Sequence, residues 1–189
     1  EPMFWAVAGG VAATGLITTG LAFHQIDLLG AQGLSPVQAA ANFLPQMMAA
    51  LFVTFVVGAL LDHVPVRLVL VGSMGLLAVA MLAVPHVTPG LTAASYGMAV
   101  GAAGAAVRTL EATSFPALFG LAHLGAIRGV VTAIGVASTA FGPLVFSIGR
   151  EATGSYLPLL VGMLVMPAAV AIVGLVAPMP VDAGAPDDR

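Results

Sequence analysis

The 189-residue chain has no cysteine and no lysine. The first absence removes disulfides, thiolate metal sites and cysteine nucleophiles together. The second removes a phosphate-cradling glycine loop, whose lysine reaches the phosphates. Charge is scarce as well. Charged residues make up 7% of the chain, and the only basic side chains besides histidine are five arginines. Soluble domains carry about a quarter charged residues, so this composition cannot cover a water-facing surface. No basic patch exists, so nucleic acid is not expected as a partner. The four histidines, His24, His63, His86 and His123, are far apart, and no pair has metal-ligand spacing. No metal or cofactor is expected. Nor does any stretch read as an enzyme. There is no His-Glu-x-x-His run, and Gly135 to Ser138 with Gly142 does not form a nucleophile elbow.

What is present is apolar. Hydrophobic residues make up 60% of the chain and the mean hydropathy is +1.09. A helix needs about 20 apolar residues to cross a hydrocarbon layer about 30 Å thick. Six stretches qualify, near 4–29, 37–61, 66–84, 91–118, 124–148 and 156–177. They predict an all-α, six-helix integral membrane bundle in the cell membrane, over residues 1–177. The Pro-, Gly- and Asp-rich segment 178–189 is expected to be a disordered cytoplasmic tail. Long unbroken runs argue against a β-barrel. Ser35-Pro36 reads as an N-cap followed by proline at the first helical position. Residue 1 is Glu, and no charged segment precedes the apolar run from Phe4. The reading is therefore not a signal peptide but a chain that continues upstream. With six spans, Arg67, Arg128 and Arg189 share one side and Arg150 lies on the other, which puts the termini in the cytoplasm.

The spans differ in what polar residues they carry. The first has Thr14, Thr18, Thr19, His24 and Gln25. The second has Asn42, Gln46 and Thr54. The fourth has Ser95, Arg108, Thr109, Glu111, Thr113 and Ser114, and the fifth has Arg128, Thr132, Ser138, Thr139 and Ser147. The third and sixth are bland. A polar stripe needs a protein neighbour or a watery cavity, whereas a bland helix can be surrounded by lipid. The repeated order of polar, polar, bland suggests two three-helix units with the third helix of each outside.

Arg108 and Glu111 are the sharpest candidates. Arg108 falls about 5 Å from the midplane of its span, at 1.5 Å rise per residue, where insertion costs at least about 2.5 kcal/mol. Glu111, three residues on, is placed to pair with it. Two readings stay open: a substrate-anion or proton-coupling site, and a structural ion pair that locks helices. Asn42 and Gln46 share a face, beside Pro45, and could line a pathway or bond between helices. His24 could titrate near neutrality or be a plain interfacial residue. Asp62 ends the second span, where the helix dipole disfavours a carboxylate. Arg67 or another helix N-terminus could compensate it, and Gly58 would let a helix approach. Gly97 with Gly101, and Gly125 with Gly129, read as packing pairs.

Gly58, Asp62 and Arg67 resemble the loop signature of the major facilitator superfamily, in its second-half copy. His63, Pro65 and Val66 depart from that signature. The segments Phe119-Gly120, His123 to Gly129, Gly142-Pro143 and Gly154-Ser155-Tyr156, with Phe23-His24 and Gly33-Leu34-Ser35, look like the monocarboxylate and oxalate/formate transporter branch. The resemblance implies helices seven to twelve of such a transporter. Helices seven, eight, ten and eleven would line the cavity, an N-terminal six-helix half would be the partner, and the cargo would be a small solute such as an organic anion. It also implies that Asp62 meets a helix of the first half. A self-contained six-helix protein, acting as a dimeric scaffold or channel, is the alternative expectation.

Overall fold

The computed structural model describes residues 2–120 and 124–178, and all its regular elements are helices. They are α1 (Pro2–Phe23), α2 (Gln25–Gly30), α3 (Pro36–Ala41), α4 (Phe43–Leu61), α5 (Val66–Ala83), α6 (Leu91–Phe119), α7 (Leu124–Thr153), α8 (Leu157–Met163) and α9 (Val165–Val176), with a short 3₁₀ turn at Val84–His86. The tail expected to be disordered and His123 lie outside the described residues, apart from Pro178.

The six apolar stretches each become helical, but three are interrupted. The first breaks at His24, the second at Asn42 and the sixth at Leu164. Two of the breaks have a covalent cause. Proline lacks an N–H and its ring crowds the carbonyl four residues back. Pro45 and Pro167 therefore disturb the turn that holds Asn42 and Leu164. The second span opens with a complete capping box: Gln38 N donates to Ser35 Oγ at 3.3 Å and Ser35 N donates to Gln38 Oε1 at 2.9 Å.

Five helical segments are long and apolar enough to cross a membrane: Pro2–Phe23, Pro36–Leu61, Val66–His86, Leu124–Thr153 and Leu157–Val176. The expected sixth is α6. Its 29 residues exceed the hydrocarbon thickness of about 30 Å, but glycine, alanine, serine, threonine and two charges leave it short of the apolarity of the other five. Its position explains this. It packs along α4 and α5 and touches α1, so Ala103, Ala105, Val107 and Leu110 are buried in protein. A helix with protein on most sides does not need a lipid-compatible surface.

The interior is apolar, with Leu70, Leu110, Phe115 and Phe146 fully buried, and the outer surface is apolar as well. Small residues sit between helices, and Leu44, Met48, Phe52 and Phe55 of α4 point outward, Phe55 being 71% exposed. Phe141, Leu144 and Ile148 do the same on α7. In water such a surface would be far larger than the apolar patches monomers tolerate. In hydrocarbon it is the appropriate surface, so the fold is compatible with a multi-pass membrane protein.

Two glycine-lined crossings hold the bundle. At Gly97 a Cβ would lie 2.5 Å from Asn42 Oδ1, and at Gly101 2.8 Å from Gln46 Cα, so α4 and α6 approach backbone to backbone. Gly142 of α7 faces α1, where a Cβ would come within 3.0 Å of Gly20 N. The Gly97–Gly101 pair packs as expected. Gly125 and Gly129 do not, since nothing lies within 4 Å of a Cβ at either. The outer placement expected of the bland third span also needs correction. α5 is packed between α6 and α9 and is one of the more buried spans, while α4 and α7 are the most exposed.

Candidate functional site

The polar spans meet around two adjoining chambers. The first, of about 320 Å³, is walled by α1, α6 and α7 and is bordered by Thr14, Thr18, Arg108, Glu111, Thr132 and Thr139. The second, of about 300 Å³, is walled by α1, α4 and α6 and is bordered by Thr18, Phe23, Phe43, Gln46, Gly101 and Arg108. Neither α5 nor α9 contributes to either. Arg108, Thr18 and Thr19 belong to both walls, so Arg108 stands on the ridge between the chambers.

The direction of Arg108 follows from helix geometry. Long side chains on a helix lean toward its N-terminus and cover the preceding turn. At Gly104 a Cβ would lie 3.3 Å from Arg108 Nη1 and 3.8 Å from its Cζ, so the guanidinium lies over that glycine. This overturns the expected Arg108–Glu111 pair. The guanidinium leans away from Glu111, and the two form no ion pair. The cation whose charge acts on Glu111 is Arg128, from α7. Arg108 itself makes no hydrogen bond or ion pair with the described residues. No protein family model matches this chain. No curated protein matches it.

Arg128 has a second role that the sequence signals through Pro116. That proline sits inside α6 and supplies no N–H to Ala112 O, four residues back. Arg128 Nη2 donates to that carbonyl at 2.9 Å. One guanidinium thus replaces the missing helix bond and joins α6 to α7.

The other expected site residues are placed as follows. Gln46 borders the second chamber, and its amide nitrogen donates to Gln25 Oε1 at 2.6 Å, while Gln25 Nε2 donates to Ala39 O at 2.8 Å. This chain ties the first span to the second. Asn42 is buried against Gly97, borders neither chamber, and leaves Nδ2 unpartnered among the described residues. Thr14 borders the first chamber with its hydroxyl oxygen buried and likewise unpartnered. Asp62 and Arg67 are exposed and form no ion pair, and nothing lies within 4 Å of a Cβ at Gly58. The compensation expected for Asp62 is therefore absent among the described residues.

His24 belongs to a separate cluster at the end of the α1–α7 crossing. Its Nδ1 lies 3.1 Å from Gly20 O, and its ring stacks on Phe146 at 5.9 Å and meets the edge of Tyr156 at 5.8 Å. Beside it, beyond the end of α1, Asp27 Oδ2 accepts from Tyr156 Oη at 2.7 Å and from Arg150 Nε at 3.5 Å. Arg150 also lies over the Tyr156 ring at 5.4 Å and donates to Gly154 O. Gly154 has φ +71°, a left-handed turn that ends α7 and directs the chain into α8. The Tyr156 hydroxyl holds the Asp27 carboxyl below the usual carboxylate range. Partial burial opposes this shift and Arg150 adds to it. Burial, and then the bond to Asp27, push Tyr156 up to about 12, so it remains a donor at neutral pH. Asp27 and Tyr156 are 129 positions apart, and no local pattern announces their meeting.

Proposed function

We propose that the chain forms one half of a secondary transporter of the major facilitator type, moving a small organic anion across the cell membrane by alternating access. The reading rests on one observation: Arg108 carries an uncompensated positive charge on the ridge between two chambers walled by four spans. No acidic side chain among the described residues forms an ion pair with Arg108. Arg108 is exposed to the groove, and a carboxylate bound there would supply the opposite charge. The exposed faces of α4 and α7 flank the chambers and would receive the N-terminal six-helix half. Asp62, at the negative end of α4, would find its missing compensation at a helix N-terminus of that half.

The test is uptake of labelled carboxylates by the full-length protein in proteoliposomes. Arg108→Ala should reduce uptake at least tenfold and Arg108→Lys less. Unchanged uptake and affinity in Arg108→Ala would remove the role. The same exposed faces could instead seat a second copy, making a dimeric scaffold or channel. Since the chain has no cysteine, a single one placed at Val136 on α7 would read this directly. Cross-linking between copies supports the dimer; cross-linking to the other half supports the transporter.

A further inference from the structure

The helices around the chambers pack as two close pairs. α1 and α7 form one. A Cβ at Gly15 would lie 3.3 Å from Thr139 Cγ2, one at Gly135 would lie 3.2 Å from Val11 Cγ1, and Gly20 lies against the Phe146 ring. Arg150 and Tyr156, at the end of α7 and just beyond it, then fasten to Asp27, just beyond α1. α4 and α6 form the other pair, joined at Gly97 and Gly101. Between the pairs, α6 meets α1, with the Phe4 and Phe115 rings 5.8 Å apart, and meets α7 much less closely. Both chambers lie on this seam. The first is between α6 and the α1–α7 pair, and the second is between α1 and the α4–α6 pair. Packing is therefore tight within each pair and interrupted between them.

Among the described residues, the side-chain hydrogen bonds that cross the seam stand toward its two ends. At the Asp27 end, Gln46 Nε2 donates to Gln25 Oε1 at 2.6 Å, and Gln25 Nε2 donates to Ala39 O at 2.8 Å. At the far end, where α6 closes and α7 begins, Arg128 Nη2 donates to Ala112 O at 2.9 Å. Both ties finish on a backbone carbonyl beside a disturbed turn. Ala39 precedes the break at Asn42, with Pro45 beyond it, and Ala112 O is the carbonyl that Pro116 leaves unserved. Prolines are where helices bend, and single bonds between membrane helices are weak. Either tie can therefore open alone, whereas parting Gly101 from Gln46 would undo a backbone-to-backbone contact. Gln46 borders the second chamber, and Glu111, next to Ala112, borders the first. We infer that the bundle hinges along this seam, with the two ties as latches at opposite ends. Release of the Gln46–Gln25–Ala39 tie opens the second chamber at the Asp27 end. Release of Arg128 from Ala112 O opens the first chamber at the other. The hinge does not depend on what the chambers carry.

The experiment measures distances between spin labels in the full-length protein in lipid nanodiscs, by double electron–electron resonance. The chain has no cysteine, so label sites are introduced without other changes to it. Leu44→Cys with Ile148→Cys reads the Asp27 end, and Leu60→Cys with Val130→Cys reads the far end. All four positions are exposed, and each set joins α4 to α7 across the seam. Gln46→Leu should lengthen and broaden the Leu44–Ile148 distance and leave Leu60–Val130 as it was. Arg128→Ala should do the converse. Pro116→Ala should act as Arg128→Ala does, because the restored N–H takes Ala112 O from the arginine while Arg128 keeps its charge beside Glu111. That variant leaves no carbonyl unserved, so it decides the far end even if Gln46→Leu does not fold. No change at either end overturns the hinge. So does an equal change at both ends from any one variant, which means that the bundle moves as one body. Uptake is not read here, so either result leaves the transport reading as it stands.

Discussion

The bond from Arg128 to Ala112 O can be isolated, because its origin is a single missing proton donor. Pro116 gives Ala112 O no helix partner, and Arg128 supplies one at 2.9 Å. Replacing Pro116 with alanine restores the N–H that would fill the same acceptor. The double-mutant cycle over Pro116→Ala and Arg128→Ala therefore measures one hydrogen bond. Bonds to a charged donor contribute about 1.5–3 kcal/mol in soluble proteins. Interhelical bonds within membranes average about 0.6 kcal/mol and reach about 1.7. Ala112 and Arg128 are both exposed, which favours the lower range. Arg128→Ala should thus destabilise the natural sequence by about 1 kcal/mol more than it destabilises the Pro116→Ala protein. Pro116→Ala alone should stabilise α6, since an interior proline costs about 3 kcal/mol or more unless its freed carbonyl is served. The assay is reversible unfolding in mixed micelles, followed by circular dichroism at constant detergent. If Arg128→Ala costs the same in both backgrounds, the carbonyl is not what the arginine serves, and its electrostatic relation to Glu111 becomes the explanation.

Other outcomes follow from the same geometry. Gly101→Ala should lower the melting temperature through overpacking worth about 1–3 kcal/mol, whereas Gly125→Ala, with nothing within 4 Å, should stay within about 0.5 kcal/mol; a thermal series in detergent compares them. Gly104→Ala should weaken anion binding more than stability, because its Cβ would meet Arg108 Nη1 at 3.3 Å rather than backbone; parallel binding and melting curves would show the split. The Asp27 cluster should confer stability above the unfolded carboxylate pKa of about 3.9. This stability is lost as pH falls through the lower folded value, since the folded pKa is depressed. Asp27→Asn should flatten melting temperature against pH in the acid range and leave it unchanged in slope above pH 6.

The span positions were legible because solvation by hydrocarbon leaves a coarse signal: long apolar runs, closed by proline or glycine. Spacing signalled the Gly97–Gly101 crossing, but the same spacing at Gly125 and Gly129 marks no contact. The breaks at Asn42 and Leu164 were partly legible, since Pro45 and Pro167 stand three residues beyond them. Arg108 and Glu111 were recognisable as candidates but not as they stand. Their spacing permits a pair, and the lean of the arginine toward Gly104 prevents it. The Arg128 bond had a local signal, Pro116, whose partner could not be named without the α6–α7 packing. Asp27, Arg150 and Tyr156 left no signal at all, because their meeting depends on how α7 and α8 return to the end of the first span.

Placing Arg108 on a shared wall has a consequence for stoichiometry. The two chambers have room for separate occupants, but there is one guanidinium between them. A carboxylate held from either side cancels the charge for both, and a second anion would then enter a groove that no longer attracts it. On the proposed transport reading the chambers would therefore be rivals for a single counter-ion, and one negative charge would cross at a time.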